Sequence, residues 1–254
     1  MSLFDAFILG IVEGITEFLP ISSTGHLMLT SHLLKIAQTE FLKSFDISIQ
    51  LGAILAVVVL YWRQLTLNFQ IIKRIITAFI PTAILGLIFY KIVKAFLLAT
   101  HQIVLWALFL GGIFLIIFEL CYREKKEAVA EVSAITYPQA FLIGLFQSLA
   151  MIPGVSRAAA TIYGGLILGL KRKTIVEFSF LLAVPTMLAA TCWDLYRSAG
   201  SFSLGQFSFL AVGFLVSFLV AILSIKFLLN FIKRNNFIVF GIYRVIIAVV
   251  FWLI

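Results

Sequence analysis

Nearly the whole chain is partitioned into apolar blocks with short charged stretches between them, a pattern that no soluble core accommodates. The blocks run Leu3–Leu19, Ile21–Ile36, Phe45–Trp62, Ile75–Tyr90, Ile103–Tyr122, Tyr137–Ile152, Ala158–Leu170, Ile175–Trp193, Phe207–Ile232 and Phe237–Ile254. Away from water a backbone must satisfy its own N–H and C=O groups, which a helix does within one segment. A spanning helix takes about 20 residues for a ~30 Å hydrocarbon core, and several blocks reach or approach that length. Composition agrees: 63% of residues are hydrophobic and 12% charged, with a mean hydropathy of +1.15, against roughly 45–50% and 25% in a soluble domain. The expected fold is an all-α integral membrane protein forming a single membrane domain over residues 1–254. The opening Met1–Asp5 lacks a basic flank and the first block carries Glu13 and Glu17, so it is expected to be retained rather than cleaved as a signal. The net charge of +8 fits positive loops beside anionic lipid headgroups; membrane lipids are the expected partners, and no nucleic acid. Cys121 and Cys192 fit no ligand spacing and are expected as buried free thiols.

Four blocks do not read as plain spans. Tyr137–Ile152 and Ala158–Leu170 are too short, and the first two blocks are broken by Glu13, Glu17 and Pro20. Laid over each other, Gly10-Ile-Val-Glu13 and Pro20-Ile-Ser-Ser23 fall against Gly144-Leu-Phe-Gln147 and Pro153-Gly-Val-Ser156, and Asp46-Ile-Ser48 falls against Glu177-Phe-Ser179. This predicts an internal repeat, with one copy over about 1–122 and the other over about 137–254, joined by the charged Arg123–Glu131 linker. Each copy crosses the bilayer an odd number of times, so the topology is inverted. Ten full spans would leave the two Pro-containing turns on opposite faces, ~30 Å apart. Two re-entrant helical hairpins entering from opposite sides bring both turns inside, where irregular backbone is tolerated. The expectation is therefore about six transmembrane helices plus two hairpins, ten helical segments in all. Loop charge orients them: Arg63, Lys73, Arg74, Arg123, Lys125, Lys126, Lys171, Arg172, Lys173, Lys233 and Arg234 lie on one side, against Lys35, Lys43, Lys91, Lys94 and Arg197 on the other. The richer side is expected to be cytoplasmic, with both termini outside.

Chemistry concentrates in the two turns. Glu13 and Glu17 are spaced to share one helix face, Pro20 ends that helix, and Ser22-Ser23-Thr24-Gly25-His26 supplies hydroxyls and an imidazole. In the second turn Gly154 permits close backbone approach, Ser156 is placed to cap the helix starting near Ala158, and that N-terminus suits phosphate. Arg157 adds a planar fork of donors and Thr161 a hydroxyl one turn on. A buried arginine needs a partner or a ligand; the alternative to phosphate is an ion pair with Glu13 or Glu17 across the halves. For Ser22 helix capping is favoured over catalysis, and Thr24 stays open. Gln50, Gln147, Ser48 and Ser179 read as interhelical hydrogen-bond partners, although Gln147 falls opposite Glu13 and is also placed to line the pocket. Lys226 and Arg244 read as snorkelling or structurally paired, and His32 and His101 as interfacial.

Glu13-x-x-x-Glu17 with Pro20-Ile-Ser-Ser-Thr-Gly-His26, followed by Pro153-Gly-Val-Ser-Arg157-x-x-x-Thr161, resembles the undecaprenyl-pyrophosphate phosphatase family, also called the bacitracin-resistance family. The resemblance covers essentially the whole chain, with one departure: Ala158 follows Arg157 where the family usually has Ser. It implies a membrane phosphatase that converts undecaprenyl diphosphate into the monophosphate carrier and inorganic phosphate. That activity recycles the carrier for peptidoglycan and other cell-wall polysaccharides and confers bacitracin resistance. It also implies a divalent cation, Mg²⁺ or Ca²⁺, and a site in the bacterial cytoplasmic membrane opening to its outer side. On that reading Arg157, Ser156, Thr161 and Gly154 hold the phosphates, and Glu13 and Glu17 hold the metal, which two carboxylates with lipid phosphates suit. Ser23 is the expected nucleophile with His26 as base or acid; His26 as nucleophile is the competing assignment, and Glu13 stays open as an acid or base. A homodimer stays open. An inverted repeat with broken segments is also transporter architecture, so movement of a phosphorylated lipid or anion is the rival function, which would not require the Ser23 and His26 pair.

Overall fold

Residues 1–97, 101–198 and 206–253 are described by the computed structural model, the side chains of residues 40, 90–97 and 194–198 excepted. The side chains of Lys91, Lys94 and Arg197, used above to orient the chain, fall outside the described ones. Helices α1 (Leu3–Thr16), α2 (Ser23–Leu33), α3 (Glu40–Leu60), α4 (Trp62–Thr66), α5 (Phe69–Leu97) and α6 (His101–Cys121) form the first half. Helices α7 (Tyr137–Ser148), α8 (Arg157–Ile167), α9 (Arg172–Ser198), α10 (Phe207–Phe231) and α11 (Ile238–Leu253) form the second. Among the described residues the isolated bridge is a single pairing, Val129 with Leu170, which ties the linker to the turn after α8.

Among the described residues five helices are long and apolar enough to span: α3, α5, α6, α9 and α10. Helix α11 is apolar too but shorter, with 16 residues. Helices α1, α2, α7 and α8 have 14, 11, 12 and 11 residues; at 1.5 Å per residue each covers about 16 to 21 Å, short of a crossing. The chain is an all-α multi-pass membrane protein. Several helices run past the ends of their apolar blocks, α3 starting at Glu40 and α9 spanning Arg172–Ser198 among them. Helix α5 begins at Phe69, before Lys73 and Arg74, and the extra helix α4 precedes it. The basic side chains end the apolar block without ending the helix, because a charge at a membrane surface breaks burial and leaves backbone hydrogen bonding intact.

Packing partners exchange between the halves. Helix α1 lies on α10 and α7 on α5, while α3 packs on α10 and α5 on α9. Small residues make the first two contacts close: a Cβ on Gly10 would lie 2.8 Å from the Gly213 carbonyl oxygen, and one on Gly144 would lie 1.9 Å from that of Ala78. Membrane helices approach this closely where side chains are absent. Thr82 fixes the second contact by donating to the Gly144 carbonyl at 2.8 Å. The buried core centres on α3, α8 and α9, with Phe18, Ile54, Ile162, Phe178 and Phe180 fully enclosed. Cys121 and Cys192 correct the expectation of buried thiols: both are exposed on the outer surface. In a membrane protein that surface is itself apolar, so a thiol gains little by turning inward.

Candidate active site

The first turn keeps the geometry its spacing implies. Helix α1 stops at Thr16, but Glu17 retains helical angles and its N–H bonds to the Glu13 carbonyl at 2.9 Å, so the two carboxylates lie one turn apart. Phe18 to Ile21 complete the turn, and Ser22 then takes a left-handed backbone with φ of 73°. Its side chain makes no capping bond, contrary to the capping expectation. The Ser22 carbonyl faces the first turn of α2 instead and accepts from the His26 N–H at 3.2 Å and from its ring Nδ1 at 2.7 Å. Ser23, the first residue of α2, donates its hydroxyl to Glu17 Oε2 at 2.5 Å.

The second turn comes in from the other half. Gly154 has φ of +89°, and a Cβ there would lie 2.7 Å from the Val104 carbonyl oxygen, so glycine is required both for conformation and for space. Ser156 caps α8 as expected, its Oγ accepting from the Ala159 N–H at 3.2 Å. Arg157 sends Nη2 to Glu17 Oε1 at 3.1 Å and Nη1 to the Ser179 carbonyl at 3.0 Å. Thr161, one turn on, shares a 2.6 Å hydrogen bond with the Ser179 hydroxyl, an interhelical bond of the expected kind. Glu17 thus holds the Ser23 hydroxyl on one oxygen and Arg157 on the other.

Between the turns lies a cavity of about 260 Å³ whose walls include Glu17, Ser22, Ser23, Gln50, Ser156 and Arg157. Both α2 and α8 begin at this cavity, so the positive ends of two short helices point toward one space, an arrangement suited to an anion. Residues 6–250 match the model of the family described as Bacitracin resistance protein BacA. The chain belongs to that family. It is 53% identical over 251 residues to a protein of Aquifex aeolicus, covering 99% of this chain and 98% of the relative. It is 54% identical over 253 residues to one of Sulfurihydrogenibium sp., covering 100% and 99%, and 45% identical over 250 residues to one of Methanococcus aeolicus, covering 98% and 97%. All three relatives carry the name undecaprenyl-diphosphatase.

The remaining residues singled out in the sequence lie around this centre. Glu13 is completely buried, and neither carboxylate oxygen has a hydrogen-bond partner. Among the described residues no three His, Cys, Asp or Glu side chains form a ready metal site. The acidic donors therefore fit a divalent cation in part: Glu13 has two uncommitted oxygens, while those of Glu17 are engaged by Ser23 and Arg157. His26 makes its ring hydrogen bonds to the Ser22 carbonyl and the Tyr243 hydroxyl, and the Ser23 hydroxyl bonds to Glu17 instead. A carbonyl can only accept, so Nδ1 carries the proton, and Nε2 accepts from the Tyr243 hydroxyl at 2.9 Å. Gln147 lies apart from the cavity and donates to Thr82 and Thr186 at 2.9 and 3.0 Å, joining α7 to α5 and α9. Gln50 lines the cavity instead of bridging helices.

Tyr243 lies outside both motifs, and Arg244, expected to snorkel or to be structurally paired, is structurally paired. Arg244 is 1% exposed and, among the described residues, donates to four backbone carbonyls, those of Pro20, Ala107, Leu108 and Gly154. The signal that was present is a Tyr-Arg pair in the middle of an otherwise apolar C-terminal block.

Proposed function

We propose that the protein hydrolyses undecaprenyl diphosphate to undecaprenyl phosphate and inorganic phosphate, and that Ser23, Glu17 and Arg157 carry the reaction. The observation behind this assignment is the string Ser23 hydroxyl, Glu17 carboxylate, Arg157 guanidinium, at 2.5 and 3.1 Å. Glu17 takes the Ser23 proton as Oγ attacks the terminal phosphorus. The bond from that phosphorus to the bridging oxygen breaks, and undecaprenyl phosphate leaves as an anion that needs no proton. Glu17 then releases the Ser23 proton to water; in the second half it takes a proton from the water that attacks the phosphoserine and returns it to the Ser23 oxygen as the bond from phosphorus to Oγ breaks, releasing phosphate and restoring the hydroxyl. Phosphoryl transfer depends mainly on positioning and charge stabilisation; the N-termini of α2 and α8, Ser156, Arg157 and Thr161 supply them, with Gly154 admitting the phosphate near the backbone. Glu13 would hold Mg²⁺ or Ca²⁺ together with substrate phosphate oxygens, and the ion would neutralise charge on the diphosphate. His26, engaged through both ring nitrogens, orients the start of α2.

An apolar groove of about 490 Å³ shares Val155 with the polar cavity and is walled chiefly by α6 and α8, with Trp106, Phe114 and Tyr163, and is also lined by Phe146 of α7 and Arg244 of α11. It suits an isoprenoid chain leaving the phosphate along α8. The protein is read as a single domain in the bacterial cytoplasmic membrane with the cavity opening outward; the exchange of packing partners between halves supports the inverted repeat behind that topology. The same exchange favours the rival reading, transport of a phosphorylated lipid. Phosphate release from undecaprenyl diphosphate by purified protein in detergent, with and without Mg²⁺ or Ca²⁺, separates the two, because detergent leaves no barrier to cross. Release dependent on cation and on Ser23 supports hydrolysis; no release from folded wild-type protein supports transport.

A further inference from the structure

We propose that Arg244 is a positioning residue that pins the two turns at their working separation, a role that rests on the phosphatase reading of the cavity between them. The turns belong to different halves of the chain, and few direct bonds join them. Ser156 reaches the Leu19 carbonyl only at 3.5 Å, and the Glu17 pair with Arg157 joins groups that the diphosphate itself is expected to engage. Arg244 supplies the independent link. Its Nη1 donates to the Pro20 carbonyl of the first turn at 3.3 Å and its Nη2 to the Gly154 carbonyl of the second at 3.1 Å. The guanidinium is anchored in turn to α6, with Nε to Leu108 at 3.3 Å and Nη2 to Ala107 at 2.9 Å.

Three further observations single this arginine out. Its four partners are all neutral carbonyls, whereas a cation buried within a membrane is ordinarily held by an acid or reaches the interface. Space for it is cut into α6: a Cβ on Gly111 would lie 2.2 Å from Nη2, and one on Gly112 would lie 3.0 Å from the Arg244 Cβ. The preceding residue reaches the same region, Tyr243 stacking on His26 with ring centroids 5.4 Å apart while its hydroxyl bonds Nε2. The guanidinium spreads five donors over three nitrogens and so reaches four carbonyls on separate segments; a lysine ammonium keeps the charge but has three donors on a single nitrogen and cannot span them. The pin places the Ser23 hydroxyl on one turn opposite the Ser156 and Arg157 cradle on the other.

The test compares wild-type protein with Arg244→Lys, Gly111→Ala and the double variant, in detergent with thermal unfolding as a check on folding. Hydrogen exchange in segments 18–24 and 152–157 should rise at least about tenfold in both single variants while α3 and α10 stay protected. Arg244 and Gly111 also line the apolar groove, so turnover is read on a short isoprenoid diphosphate that does not reach along it: kcat should fall at least about tenfold with KM within about twofold, since the cradle itself is intact. The double variant should be no worse than Arg244→Lys alone, because both changes break one link. Unchanged exchange in both turns, additive losses in the double variant, or full turnover in Arg244→Lys would overturn the pin. The exchange measurement judges it even where wild-type protein releases no phosphate, a result that sinks the hydrolase reading alone.

Discussion

The Ser23 hydroxyl lies 2.5 Å from Glu17 Oε2, across the first turn and six residues apart in sequence, while the ring nitrogens of His26, three residues beyond Ser23, are taken by the Ser22 carbonyl and the Tyr243 hydroxyl. This relationship gives the serine a carboxylate as its immediate proton acceptor. Glu17→Gln should therefore lower kcat by roughly 10² to 10⁴, the usual contribution of a positioned base. Phosphate release by folded variant protein checks it, and turnover near the wild-type rate would remove Glu17 from that role.

The identity of the nucleophile is open to a chemical test. Labelled phosphate trapped on the protein during turnover should survive acid and be released by base, as a serine phosphoester does, and Ser23→Ala should trap none. An acid-labile adduct that persists in Ser23→Ala would transfer the nucleophile to His26.

Arg157 meets Glu17 and the Ser179 carbonyl with separate guanidinium nitrogens. Arg157→Lys preserves the charge and loses the fork, so turnover should fall at least about 100-fold with folding retained. Activity within about threefold of wild type would mean that charge alone suffices there.

Ala160 lines the apolar groove on the α8 wall, one residue ahead of Thr161. Ala160→Trp should fill that space and raise KM for the long undecaprenyl diphosphate while sparing a short isoprenoid diphosphate that does not reach so far. Equal effects on both substrates would place the chain elsewhere.

Gly144 sits against the Ala78 carbonyl with no room for a methyl group. Gly144→Ala should push α7 off α5 and destabilise the protein by about 1–3 kcal/mol, as overpacking does. Thermal unfolding in detergent measures it, and an unchanged midpoint would show that the two helices can separate freely.

Much of the site was legible because its residues are local. Glu13 and Glu17 are fixed on one face by helical spacing, and Ser156 capping α8 with Arg157 beside it follows from a polar residue at a helix start. The pairing of Arg157 with Glu17 was legible only as one of several options, since 140 residues separate them. The orientation of His26 was not legible, because it depends on Tyr243, 217 residues away. Ser22 misled for a related reason. A serine before a helix ordinarily caps it, but the left-handed backbone here presents the carbonyl to α2 instead.

The sequence by itself determined the helical membrane architecture, the four short segments and the two polar turns, because apolar run length and interruptions by Pro and Gly act within one segment. Tertiary structure alone decided how the two turns face each other, which oxygen of Glu17 each partner takes, and where Arg244 goes. Those outcomes depend on contacts between α11, α6 and both turns, and on glycines at 111 and 112 that leave room for a guanidinium. Burial of an arginine among carbonyls is a property of the assembled helices, and no local pattern in α11 encodes which carbonyls they will be.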